Sequence, residues 1–91
     1  MDPIDFDAAA AQPHFDACIA KIGNFAQAAR LLGLKTAWGV QKWRTDGVPP
    51  DRVPDLVRLA DFAATPHQLR PDVFRLPSDG VPKEVLRRIA A

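Results

Sequence analysis

Nine prolines and five glycines cut this chain of 91 residues into short blocks, and that punctuation limits what it can fold into. Proline removes an amide donor and interrupts a helix beyond its first turn, while glycine favours the left-handed residue that ends one. Between these breaks no alternation of apolar and polar residues persists, so no strand is expected. The apolar residues recur at helical spacing instead. Pro13 suits a first turn, after which Phe15, Cys18, Ile19 and Ile22 follow the i, i+3, i+4, i+7 rule until Gly23 closes the helix.

The same reading continues along the chain. Asn24 is suited to cap a second helix whose buried stripe is Phe25, Ala28, Ala29 and Leu32, with Leu31 beside it and Gly33 as the stop. Only alanines lie in mid-stripe, so another helix can approach closely there. A third helix is expected from Lys35 or Thr36 to about Thr45, before the turn at Asp46-Gly47 and the pair Pro49-Pro50. Asp51 is expected to cap a fourth, with Pro54 in its first turn and Val53, Leu56, Val57 and Ala60 inward, extended by Leu59 and Phe62. Pro66, Pro71 and Pro77 then make an irregular return, from which Leu69, Val73, Phe74 and Leu76 fold back onto the core. Ser78 or Asp79, followed by Pro82, opens a last helix carrying Val85, Leu86 and Ile89.

The third helix contains an anomaly. Trp38 and Trp43 stand five residues apart, which at 100° per residue separates them by about 140° on a helix, so the two cannot share an inward face. With Val40 taken as the inward direction, Ala37 and Trp43 each lie about 60° to one side and can enter the core. Trp38 lies about 160° away, beside Lys42, with Lys35 and Thr45 near the same face and Gln41 on its flank. Trp43 is therefore expected to anchor the helix and Trp38 to stand outside it. The outward set suits a DNA-reading helix. Lysine reaches phosphates or guanine edges, glutamine pairs bidentately with adenine, and threonine meets a phosphate or a thymine methyl; an aromatic ring can meet thymine methyls or lie against sugar. Gly39 removes side-chain bulk on one flank. The competing reading packs Trp38 against the N-terminal tail or a partner chain.

The charge pattern agrees with a polyanionic partner. The net charge is only +1, yet residues 1–20 carry Asp2, Asp5, Asp7 and Asp16 with no cation. Residues 21–52 carry Lys21, Arg30, Lys35, Lys42, Arg44 and Arg52 against Asp46 and Asp51. A basic middle behind an acidic front favours nucleic acid, although solvated helix faces give the same pattern.

The stretch "FAQAARLLGLKTAWGVQKWRTDGVPPDRV", followed by "HQLRPDVF", resembles the helix-turn-helix of Cro-like phage regulators and of the YdaS-type antitoxin group. The matching features are Ala29 four residues before Gly33, Leu34 after it, Val40 and Trp43 in the second helix, and then "GVPPDRV" and "LRPDVF". The resemblance covers roughly residues 14–76. Its common spacing sets the equivalents of Val40 and Trp43 one residue nearer Gly33, which places an extra residue in the turn near Lys35–Ala37. It implies an all-α, lambda-repressor/Cro-like domain of four to five helices that reads duplex DNA in the major groove through Trp38, Gln41, Lys42 and Thr45, the four residues that the angles select independently. Arg30, Lys35, Thr36, Arg44 and Arg52 would hold phosphates. A homodimer is expected as well, because one short helix reads few base pairs whereas a two-fold pair reads two half-sites about 34 Å apart.

The remaining candidates are weaker. His14 and Cys18 are four apart on one helix, but a structural zinc site needs about four ligands and His67 is the sole further strong candidate, so no metal site is expected. No activated nucleophile, phosphate-cradling glycine loop or carboxylate pair is present, so neither an enzyme nor a cofactor is expected. No apolar run reaches the ~18 residues of a membrane span. A lone cysteine and an acidic start suit a cytoplasmic, nucleoid-associated protein rather than an exported one. The expected organisation is an acidic flexible tail over 1–12, a helix-turn-helix domain over 13–77, and a C-terminal helix over 78–91 for packing or dimerisation. A protein partner could meet the tail or that last helix. The function expected is that of a sequence-specific regulator acting as a repressor; its rivals are an adaptor or antitoxin that grips a protein with the Trp38 face, and an architectural protein that binds DNA without sequence preference.

Overall fold

A computed structural model describes residues 7–90. These form seven helical segments and no strand: α1 Ala8–Ile22, α2 Phe25–Leu32, α3 Ala37–Gln41, α4 Trp43–Asp46, α5 Val53–Leu59, α6 Pro66–Leu69 and α7 Lys83–Ala90. The fold is all-α. α1 packs on α4 and α6, and α2 packs on α3 and α5. Phe15, Cys18 and Ile19 of α1 meet Ala28, Ala29, Val40, Val53, Leu56, Val57, Ala60 and Leu69 in one core, joined by Val48 and Ala64 from the connections.

The caps explain the boundaries. α1 begins at Ala8, five residues before the Pro13 start expected from the sequence, because the Asp7 side chain accepts from the Ala9 amide at 3.0 Å. Four consecutive alanines then carry the helix up to Pro13, which sits inside it. Residues 1–6 of the acidic tail lie outside the described residues. Asn24 caps α2 as expected, accepting from the Gln27 amide at 2.8 Å. Gly33 ends α2 at φ 76°, while the Leu34 amide reaches back to the Ala29 carbonyl at 2.8 Å. That closure requires a left-handed residue, which glycine adopts without a Cβ penalty. Residues 33–36 form the turn of a helix-turn-helix, and α3 and α4 form its second helical run. Lys42 joins these two segments with right-handed helical angles of −61° and −30°.

Four expectations need correction. Asp51 does not cap α5; the cap position is Arg52, with no side-chain cap bond, and Pro54 sits in the first turn. The inward stripe expected to extend through Leu59 and Phe62 is interrupted: α5 stops at Leu59, which stays exposed, since Asp61 and Phe62 turn left-handed at φ 50° and 57°. The turn is closed by the Phe62 amide on the Val57 carbonyl at 2.9 Å, and it brings Phe62 against the core. The proline-rich return contains α6, held by a reciprocal cap between Thr65 and Gln68 with Pro66 in the first turn. Leu69 and Phe74 fold inward from this return, but Val73 and Leu76 remain exposed. Of the last helix, Val85 is buried and Ile89 is exposed.

Candidate nucleic-acid interface

The helical run of α3 and α4 divides its two tryptophans as the angular argument requires. Val40 is fully buried, Trp43 packs partly buried against the core, and Trp38 is 66% exposed. Ala28 and Ala29 of α2 are both buried, and α3 packs closely on that helix. The small residues of one helix therefore fix the inward side of the next, and the outward side follows from the 3.6-residue period.

Trp38, Gln41, Lys42 and Thr45 are all exposed on this run. Lys42 Nζ lies 5.4 Å from the centroid of the Trp38 ring, a cation–π contact, and 3.8 Å from Asp46 Oδ2 one turn further on. The ammonium group is thus held between an aromatic surface and a carboxylate. Lys35 and Thr36 are exposed in the preceding turn; Thr36 occupies the cap position of α3 and makes no side-chain cap bond.

The five residues assigned to phosphates are in three different situations. Lys35 and Thr36 are open to solvent. Arg30 is exposed on α2 and donates from Nη2 to Gln27 Oε1. Arg44 donates to Asp16 of α1 twice, from Nε to Oδ1 at 2.9 Å and from Nη2 to Oδ2 at 3.1 Å. That bonding, together with the charge of Asp16, pushes the Arg44 guanidinium still further above its ordinary value. Arg52 is half-buried and donates from Nη1 to the Leu32 carbonyl at 3.2 Å, near the end of α2. Arg44 and Arg52 therefore hold helices together.

Sequence reasoning named the two acids of this region but missed their pairings with Arg44 and Lys42. Asp46 was legible, because an i, i+4 pair with Lys42 needs only helical spacing. Asp16 was not, since 28 residues separate it from Arg44. A further basic group was missed elsewhere: Arg70 donates to both oxygens of Asp72, at 3.0 and 2.7 Å, and to the Val48 carbonyl at 3.1 Å.

His14 and His67 line one groove with Asp7, Gln68 and Pro71. The Nδ1 of His67 donates to the Phe74 carbonyl at 2.8 Å, because a carbonyl only accepts. Cys18 faces the core instead. Among the described residues no three His, Cys, Asp or Glu side chains converge to hold a metal ion, and no helix is long and apolar enough to cross a membrane.

Comparison with known proteins identifies the family. Residues 15–77 match the family described as bacterial toxin YdaS. No curated protein and no solved structure matches the chain.

Proposed function

The chain belongs to the YdaS family, and from that premise we propose that it is a sequence-specific regulator that lays residues 36–45 in the major groove of duplex DNA. The observation that carries the reading is the exposed indole of Trp38 beside the Lys42 ammonium, on the outer side of a helix whose inner side is anchored by Val40 and Trp43. The Trp38 ring is the largest apolar side chain that the described residues leave exposed. Trp38, Gln41, Lys42 and Thr45 read base edges in this proposal, and Lys35, Thr36 and Arg30 meet phosphates. Arg44 joins them only when a phosphate displaces Asp16, and Arg52 contributes charge from its place against α2. Two copies related by a two-fold axis would present two such helices to half-sites about 34 Å apart. Occupancy of a promoter then gives repression.

Selection of bound sequences from a random duplex pool tests this. A recovered palindrome supports sequence reading by a two-fold pair, and affinity should fall steeply with salt as phosphate-bound cations are released. Equal retention of all sequences would replace the regulator by an architectural protein. The family's description as a toxin favours a second reading, in which the Trp38 face engages a protein target. Absence of affinity for any duplex would favour it.

A further inference from the structure

An exposed indole entering a DNA groove needs an apolar partner there. We propose that Trp38 makes this face a reader of pyrimidine C5-methyl groups, so that the preferred duplex carries thymine beneath the indole and accepts 5-methylcytosine on the same contact.

A duplex limits what a side chain can meet. Its base faces are stacked on one another, so a side chain entering the major groove meets only base edges. Those edges are hydrogen-bond donors and acceptors, apart from the C5-methyl of thymine. An indole in the groove can be desolvated productively against that methyl or against the sugar at the groove wall. Trp38 lies on the same outward run as the base-reading residues Gln41, Lys42 and Thr45, which aims it at the floor. It is 66% exposed, so most of its apolar surface is unspent.

The neighbours sharpen the assignment. Lys42 Nζ stands 5.4 Å from the ring centroid and 3.8 Å from Asp46, so a cation already stands beside the indole. Gln41 follows Trp38 by three residues, about 60° round the helix, and its exposed amide suits the N6 and N7 of adenine. Trp38 and Gln41 can therefore read one T·A pair from its two strands, the indole on the methyl and the amide on the purine. Lys42 suits an adjacent guanine through O6 and N7.

The inference rests on the DNA-binding reading, and one experiment separates the two. In the duplex recovered by selection, each thymine is replaced in turn by uracil, which deletes the methyl and keeps every hydrogen-bonding group. Binding of wild type and of Trp38→Ala is measured, with thermal unfolding as the check that the variant is folded. At one or two positions uracil should weaken wild type about fourfold, the change that burying one such group implies, and should leave Trp38→Ala unaffected. At such a position 5-methylcytosine paired with guanine should bind wild type more tightly than cytosine does. Wild type indifferent to uracil at every position overturns the proposal alone, as does an equal loss in Trp38→Ala. A wild type that selects no duplex overturns the DNA-binding reading and this inference together.

Discussion

Arg44 of α4 is clamped to Asp16 of α1 by two parallel hydrogen bonds, Nε to Oδ1 at 2.9 Å and Nη2 to Oδ2 at 3.1 Å. The clamp fixes the second half of the α3–α4 run against the first helix, and it also neutralises a cation of that run. Asp16→Asn separates these effects. Both side chains are substantially exposed, so the thermal midpoint should hardly move. Duplex binding at low salt should tighten, with a salt dependence steeper by about one phosphate contact. Weaker binding instead would show that the clamp positions α4 and withholds nothing from the DNA.

The two tryptophans should separate in solution. Iodide should quench mainly Trp38, so Trp38→Phe should remove most of the quenchable emission and Trp43→Phe should leave it. In urea denaturation Trp38→Ala should stay within about 0.5 kcal/mol of wild type. Trp43→Ala, which strips a ring packed on the core, should cost about 2 kcal/mol or more. Reversed rankings would dissolve the division between a buried anchor and an exposed ring.

Gly39 lies inside α3, yet a methyl group added there would sit 4.0 Å from Leu34 Cδ1, an ordinary contact. Internal packing does not require a glycine at this position. Gly39→Ala should therefore stabilise the fold by about 0.5–1 kcal/mol in urea denaturation. Loss of stability would mean that the helix cannot accommodate even this group.

Cys18 is fully enclosed, and burial pushes its thiol up to about 11, partly opposed by a backbone hydrogen bond with Ala64. A disulfide reagent at pH 8 should react slowly with the native protein and rapidly once guanidinium opens it. The unfolded chain releases this proton near 9, whereas the folded chain keeps it to higher pH. The contribution to stability is therefore complete below about pH 9 and is lost as pH rises towards 11. Cys18→Ala should flatten that alkaline decline, and an unchanged decline would assign it to other groups.

Asp72 behaves oppositely. The hydrogen bonds from Arg70 hold its carboxyl below the ordinary carboxylate value, outweighing the effect of burial. Its contribution is present above the unfolded value of about 3.9 and disappears as pH falls through the lower folded value. Asp72→Asn should lower the thermal midpoint at pH 7 and have little effect near pH 2. An equal loss at both would show that the packing of Asp72, and not its charge, supports the loop around Val48.

Much of the site was legible because it rests on local rules. Asn24 and Gly33 bound α2 by cap chemistry that the residue types alone specify. Val40 inward and Trp38 outward follow from the helical period once one direction is fixed. The misses have local causes as well. Charge and composition place Asp7 in a tail, whereas an aspartate before an alanine run acts as a cap, so α1 starts five residues before the expected Pro13. Val73 and Leu76 were assigned inward by hydrophobicity alone, in a segment with no period to say which side faces the core.

The order of apolar, capping and breaking residues was enough to determine an all-helical chain and the helix that carries the outward indole, since caps and periodicity act within a few residues. Tertiary structure decided which cations stay available. Arg44 meets Asp16 only after α1 and α4 pack, and Arg52 meets the Leu32 carbonyl only after α5 lies against α2. An ion pair forms where packing brings opposite charges within a few ångströms, and separation along the chain does not encode that distance.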